Sequence, residues 1–429
     1  MTRYGLTMDR LTTLARRLRA SPLARNTVTY TFNFGLQLVI QFGYFMLVSR
    51  YLGPAGYGVF VTLSSVGLIG VLLIGLGADH LMIQRVAVHP EQFPRYFGHA
   101  VTMILLTLPV VGLAAIAIGY GLAGDALAIA PIVAIAVSHM VCGRLVGLSA
   151  NAFMAFDRAR EQLFVNVLIA TMRLAFLGLA ILVEPELTLA VFAWWYLAAS
   201  ALSAAVAVTL VVILCGRPKP TIVREDLKLG LQFCLEYVAI GGVGDLDKPV
   251  VAETLGDAAA GQYAAGFKIV DAASAPVRAL LYATYTRHFR NAAQSRSDSV
   301  RFGIRLLPVS LAMSACVAVA LFVGADYVPL LIGSGFDGTS DIIKLLALYP
   351  FLMGLSGIGA DILRAVGRQK TRIALLATSA ALMVPAVWAG AVLGGLVGAA
   401  VARLLLQLAL VGSTWAFLGE ARRSLQPAE

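Results

Sequence analysis

The sequence predicts an all-α polytopic membrane protein of about twelve transmembrane helices, and three observations carry the prediction. First, 59% of the 429 residues are hydrophobic and only 13% are charged, where a soluble domain carries about 25%. Second, the mean hydropathy is +0.84, and long apolar stretches recur from residue 27 to residue 418. Lipid is the solvent that suits them. Third, lysine and arginine fall almost wholly on one side of the chain's successive loops.

In chain order the predicted spans are 27–48, 58–77, 100–122, 127–148, 162–183, 188–215, 229–247, 258–282, 304–324, 341–363, 373–391 and 394–418. Each approaches the roughly 20 residues needed to cross a bilayer core. The seventh is the weakest, because it holds Glu236 and ends in Asp245-Leu246-Asp247-Lys248. With the N-terminus inside, the inside segments carry 25 Lys and Arg and the outside loops two, Arg50 and Lys248. By the positive-inside rule both termini are cytoplasmic and the span count is even, and helical spans of this kind are expected in a bacterial inner membrane. Arg173, Lys268, Arg278, Arg305, Lys344 and Arg403 fall within or at the ends of spans.

The first 26 residues are basic and lack the apolar core and cleavage site of a signal peptide. Met8, Leu11, Leu14 and Leu18 share one helical face against Arg10, Arg16, Arg17 and Arg19. That pattern suits either a short helix on anionic lipid or a positively charged tail. The net charge of +10 follows from insertion topology and does not call for a nucleic-acid partner.

No loop is long enough to hold a soluble catalytic domain, which argues against an enzyme and against a membrane glycosyltransferase or polymerase. No P-loop, dinucleotide fingerprint, H-E-x-x-H or G-x-S-x-G occurs. The four cysteines are scattered without C-x-x-C spacing, and His80, His89 and His99 lack metal-ligand spacing. No cofactor, catalytic residue or metal site is expected.

At a constant offset of 203, residues 48–60 (VSRYLGPAGYGVF) and 251–263 (VAETLGDAAAGQY) match at Val48/Val251, Leu52/Leu255, Gly53/Gly256, Ala55/Ala258 and Gly58/Gly261. Both are predicted outside turns between an odd and an even span. A repeat in equal topological position is the mark of a transporter built from two halves. The phrase SRYLGPAGYGVF after a polar-striped first span resembles the first hairpin of polysaccharide-exporting flippases of the multidrug/oligosaccharidyl-lipid/polysaccharide superfamily. DKPVVAETLGDAAAGQYAAGFKIVDAASAPVRALL resembles their seventh-to-eighth hairpin, and LRAVGRQK their loop after span ten. The resemblance implies two pseudo-symmetric six-helix bundles around a central cavity, here 27–215 and 229–418, joined by a cytoplasmic linker at 216–228. Residues 1–26 and 419–429 form cytoplasmic ends. It also implies translocation of undecaprenyl-diphosphate-linked oligosaccharide for O-antigen, capsule or exopolysaccharide synthesis. H+ and Na+ are candidate coupling ions, and polysaccharide polymerase or export proteins are candidate partners. The alternative within the superfamily, a cation-coupled multidrug extruder, favours an acid in span one, where this chain has none.

Charges at membrane depth cost about 2.5–3.5 kcal/mol each on insertion scales and usually face a cavity or a partner. In span eight, Lys268, Asp271, Arg278 and Tyr282 share one face. This is either a water-filled lining or a Lys268–Asp271 ion pair with Arg278 reaching the interface. In span one, Asn33, Gln37 and Gln41 recur with Tyr30 and Tyr44 at helical spacing. They suit sugar hydroxyls or inter-helix hydrogen bonds equally. Arg173 lies mid-span and requires a partner such as Glu236 or an anionic ligand, whereas Arg305 and Arg403 suit snorkelling. Arg278, Lys268 and Arg173 are thus the candidate diphosphate ligands. Asn33, Gln37 and Gln41 are the candidate sugar contacts, and Asp271 and Glu236 the candidate ion-coupling acids.

A cysteine introduced at Ala55 is expected to react with an impermeant maleimide added to intact spheroplasts, and one at Ser295 only after permeabilisation. The reverse pattern rejects the orientation.

Overall fold

A computed structural model describes residues 22–124 and 126–423, with side chains from Gly35 to Gly419 apart from a few around 286–296. The N-terminal amphipathic segment and the side chain of Asn33 lie outside the described residues. The described chain is helical almost throughout. Lipid offers no partner for peptide groups, so the helix satisfies them internally.

The helices are α1 (Pro22–Leu73), α2 (Ala78–Val86), α3 (Phe93–Ala123), α4 (Ile129–Val137), α5 (Arg144–Ala155), α6 (Ala159–Val183) and α7 (Leu189–Leu214) in the first half. The second half holds α8 (Leu227–Asp245), α9 (Asp247–Leu255), α10 (Asp257–Ala273), α11 (Ala275–Gln294), α12 (Arg296–Gly324), α13 (Val328–Ile332), α14 (Gly338–Leu346), α15 (Tyr349–Ala365) and α16 (Gln369–Arg423). Among the described residues nine helical stretches are long and apolar enough to cross a membrane. Two of them hold two predicted spans each, because α1 folds at Gly53 and α16 at Gly394–Gly395. The predicted eighth span is α10 plus α11, broken beside Pro276, which has no N–H to continue the ladder.

The internal repeat is visible in the backbone. Gly53 (φ 66, ψ 177) and Gly256 (φ 87, ψ 168) adopt the same left-handed turn, which residues with a Cβ rarely enter. Five residues beyond each turn the two halves cross. A Cβ on Gly58 would stand 1.8 Å from the carbonyl oxygen of Asp257, and one on Gly261 would stand 2.0 Å from that of Pro54. The four residues exchange under the offset of 203, so the contact is reciprocal, as a twofold axis requires. A second repeat, not evident in the sequence, follows span four and span ten. Asp157 (φ 55) and Gly367 (φ 85) end α5 and α15 alike. The next N–H then donates back across the helix end, Arg158 to Phe153 O at 2.9 Å and Arg368 to Leu363 O at 2.8 Å.

One apolar core joins the halves at the Gly53 end, with Val48, Tyr57, Tyr263 and Phe336 in it. A second fills the first half between α2, α3, α5 and α7. The linker is pinned to the first half. Lys219 N donates to Pro94 O at 2.8 Å, Tyr96 donates to Asp226 at 2.8 Å, and Arg85 pairs with Asp226.

Three assignments from the sequence need correction. Lys248 is not in an outside loop, because helix continues through α9 to Leu255 and buries it. Arg144, counted among the inside cations although it falls within span 127–148, is buried, with both terminal nitrogens on Asp79 at 2.8 and 3.0 Å. Burial opposes charge on Asp79, and the guanidinium prevails and holds its carboxyl below the usual range. Arg403 does not snorkel; it is 2% exposed and paired with Asp247.

Gly58→Ala and Gly261→Ala are each expected to force the crossing apart, costing about 1–3 kcal/mol and lowering the thermal midpoint of the purified protein. Gly178→Ala, where nothing lies within 4 Å, is expected to leave the midpoint unchanged or raise it.

Candidate functional site

A cavity of about 690 Å³ lies between the two halves. Its first-half wall comes from α1, the turn before α5, α6 and α7, and its second-half wall from α8, α9, α10 and Tyr349 of α15. Of the predicted site residues, Gln37, Gln41, Arg173, Lys268 and Asp271 line it.

Arg173 projects from α6. Its Nε donates to Ser200 Oγ at 3.2 Å, and its Cζ lies 4.4 Å from the centre of the Tyr196 ring. These contacts fix the guanidinium stem and leave its outer edge for the cavity. Among the described residues no carboxylate lies within 4.0 Å of Arg173. The expected partner Glu236 is elsewhere. It pairs with Arg372 of α16 and accepts from Gln369 at 2.9 Å, outside the cavity lining.

On the second-half wall Lys268 is open to the cavity, and among the described residues it too lacks an ion pair. The Lys268–Asp271 pair considered from the sequence does not form, because Arg278 occupies Asp271 at 2.7 Å. Arg278 also donates to the Asp271 carbonyl at 2.9 Å. It thereby spans the α10–α11 break and is not itself part of the lining.

Sequence reasoning missed four contributors. Asp245 and Lys248 line the cavity as an ion pair, with Lys248 also donating to Gly244 O at 3.0 Å. Behind them Asp247 accepts from Tyr263 at 2.7 Å and from Arg403, whose guanidinium lies 3.7 Å from the centre of the Phe267 ring. On the first-half wall one widened π-helical turn, Ser138–Gly143, brings His139 to the lining. The extra residue in such a turn re-aims side chains, and π-turns concentrate at functional sites. His139 Nε2 lies 3.1 Å from Ser64 Oγ and 3.2 Å from the Tyr196 hydroxyl. Gly67, whose Cβ would stand 3.1 Å from that of His139, permits the approach. A lone histidine in an apolar stretch gives no sequence signal of this kind. The charged stretch Asp245-Leu246-Asp247-Lys248 does, but from the sequence it reads as the weak end of span seven, with Lys248 in an outside loop.

Three cations and two carboxylates line the cavity. Lys248 matches Asp245, and Arg278 from just outside matches Asp271. Among the described residues Arg173 and Lys268 are left uncompensated, one on each half.

A membrane-embedded bundle of two crossed halves around a charged central cavity is the architecture of a transporter. The chain belongs to the polysaccharide biosynthesis protein family, whose model matches residues 23–286. No curated protein matches it in sequence. Its fold is similar to an inward-facing multidrug resistance MATE family transporter of the MOP superfamily (TM-score 0.71, 13% identity, covering 91% of this chain and 96% of that one). It is also similar to the lipid II flippase MurJ in an inward closed conformation (TM-score 0.72, 13% identity, 91% and 87%). Against an outward-facing MATE family transporter the TM-score is 0.59, at 13% identity over 95% and 97%. The expected all-helical, multi-spanning fold is thus shared with these structures.

Arg403→Gln is expected to lower stability by about 3–5 kcal/mol, because it leaves Asp247 charged and buried. Asp247→Asn combined with Arg403→Gln should lose less than the sum of the single changes. Thermal unfolding in detergent checks both.

Proposed function

We propose that the protein flips an undecaprenyl-diphosphate-linked oligosaccharide across the bacterial inner membrane by alternating access, both termini lying in the cytoplasm. The observation that carries this reading is the pair of uncompensated cations, Arg173 and Lys268, facing one cavity from opposite halves. Their two formal charges suit a diphosphate, which guanidinium binds through two oxygens and ammonium as a point charge. Gln37 and Gln41, with Asn33 one turn earlier on α1, supply amides for sugar hydroxyls. Arg278 serves by holding Asp271 and the α10–α11 break. The polyprenyl chain stays in lipid. Family membership supports a polysaccharide precursor as cargo, and the absence of an acid in 27–48 disfavours cation-coupled drug extrusion.

The two bundles, 27–215 and 229–418, rock about the Gly53 end. Outward movement of net negative charge is favoured by an inside-negative potential, by about 2.3 kcal/mol per charge per 100 mV.

In a strain lacking its own flippase, Arg173→Ala and Lys268→Ala are each expected to cut surface polysaccharide at least about tenfold, the loss of about 1.4 kcal/mol of binding. Membrane levels of the protein should not change, and Arg173→Lys should recover export in part. Normal export by both alanine variants rejects the anion-binding reading.

A further inference from the structure

His139 is a titratable group on the cavity wall to which flipping as proposed gives no task. Its Nε2 faces two hydroxyls, Ser64 Oγ at 3.1 Å and Tyr196 Oη at 3.2 Å. A hydroxyl donates to a bare ring nitrogen and accepts from a protonated one. The ring therefore keeps its partners in either charge state. A histidine fixed between a carbonyl and a carboxylate lacks that freedom.

The charged and titratable groups facing it come from each packed element: Arg173 of α6, Tyr196 of α7, Tyr44 of α1 and Cys142 of its own turn. Among the described residues no carboxylate stands within ion-pair distance of the His139 ring. Charging it in the empty cavity sets a second cation near Arg173 with nothing to balance either. An anion held on Arg173 supplies the balance.

The carboxylates on the opposite wall are differently placed. Asp245 is matched by Lys248, Asp271 by Arg278 and, behind them, Asp247 by Arg403. Protonating any of these leaves a cation at membrane depth without its partner, which is costly. His139 is the one imidazole in the lining, and its charge can follow the occupant of Arg173 beside it.

Resting on the anion-binding reading above, we propose that His139 takes up a proton when an anionic diphosphate occupies Arg173 and releases it when the anion departs. Cargo and proton are then loaded together on the first-half wall. The proton comes from water to the bare ring nitrogen, no bond of the cargo changes, and release reverses the step. The coupling is reciprocal, so protonation tightens anion binding by the same factor by which the anion favours protonation.

The test uses the full chain in lipid nanodiscs, with sulfate as the probe because it stays doubly charged throughout the neutral range. Proton uptake on sulfate addition is read by a pH indicator in weakly buffered solution, and affinity is measured from about pH 8 to about pH 6, around the ordinary histidine range. The wild type is expected to take up close to one proton per sulfate, and its affinity to rise by up to about tenfold per pH unit on acidification. His139→Gln should bind sulfate with no uptake and a flat pH profile. Wild-type binding with no uptake and no pH dependence overturns the proposal without any variant having to fold, and so does uptake by His139→Gln equal to the wild type. Arg173→Ala separates the two readings. Its loss of sulfate binding supports the anion site whatever the proton count. Sulfate binding as strong as in the wild type, or none in the wild type itself, overturns the anion site and the proton role together.

Discussion

Charge compensation inside lipid is the constraint on which the rest of this structure depends. A hydrocarbon surround does not solvate ions, so each buried charge needs a partner close enough to offset its desolvation. The protein meets this repeatedly. Asp79 receives both arms of Arg144, Asp247 receives Arg403 and Tyr263, Asp271 receives Arg278, and Asp245 receives Lys248. Against that background Arg173 and Lys268 stand out, because among the described residues each lines the cavity without a counter-ion. Arg173 has a hydroxyl and an aromatic face for partners. Those suffice to aim a guanidinium but not to neutralise it.

The pairs also do structural work at the places where helices break. Arg278 bridges the interruption beside Pro276, and the Asp245–Lys248 pair brackets the junction of α8 and α9 at Leu246. In both cases the backbone at the junction stays hydrogen-bonded within the protein, Leu246 N to Gly242 O and Ser274 N to Val270 O. Lipid-exposed breaks have no such recourse.

Much of this was legible in the sequence, for identifiable reasons. Span positions follow from hydropathy, which acts locally, and all twelve predicted segments fall on helices. The repeat was legible because the turn at Gly53 and Gly256 requires a positive φ and the crossing at Gly58 and Gly261 leaves no room for a Cβ, so glycine marks the same places twice. Where each cation's partner lies was not legible. Arg403 and Asp247 are 156 residues apart, and Arg144 and Asp79 are 65 apart. A rule that sorts cations by loop cannot see such pairings, so it counted Lys248 outside and Arg144 inside and gave Arg403 to the interface. His139 was illegible for a different reason. One residue of extra backbone in a π-turn changes which face a side chain occupies, and no periodicity in the sequence announces it.

The distribution of ion pairs bears on how the halves move. Among the described residues every ion pair lies within one half or between the first half and the linker pinned to it, and none joins 35–215 to 229–419. What joins them at the Gly53 end is close-packed backbone and apolar surface, with Phe336 fully buried and 6.3 Å from Tyr57 between ring centres. At the other end Gly77 and Gly230 meet closely, and His80 stacks on Tyr237 at 3.8 Å. Separating such surfaces exposes apolar area to lipid or water but strands no charge. In the proposed rocking each half keeps its own electrostatics intact. The uncompensated pair is the exception, since Arg173 belongs to one half and Lys268 to the other. On the flippase reading proposed above, an anion between them is the one charged link the halves share, present only with cargo.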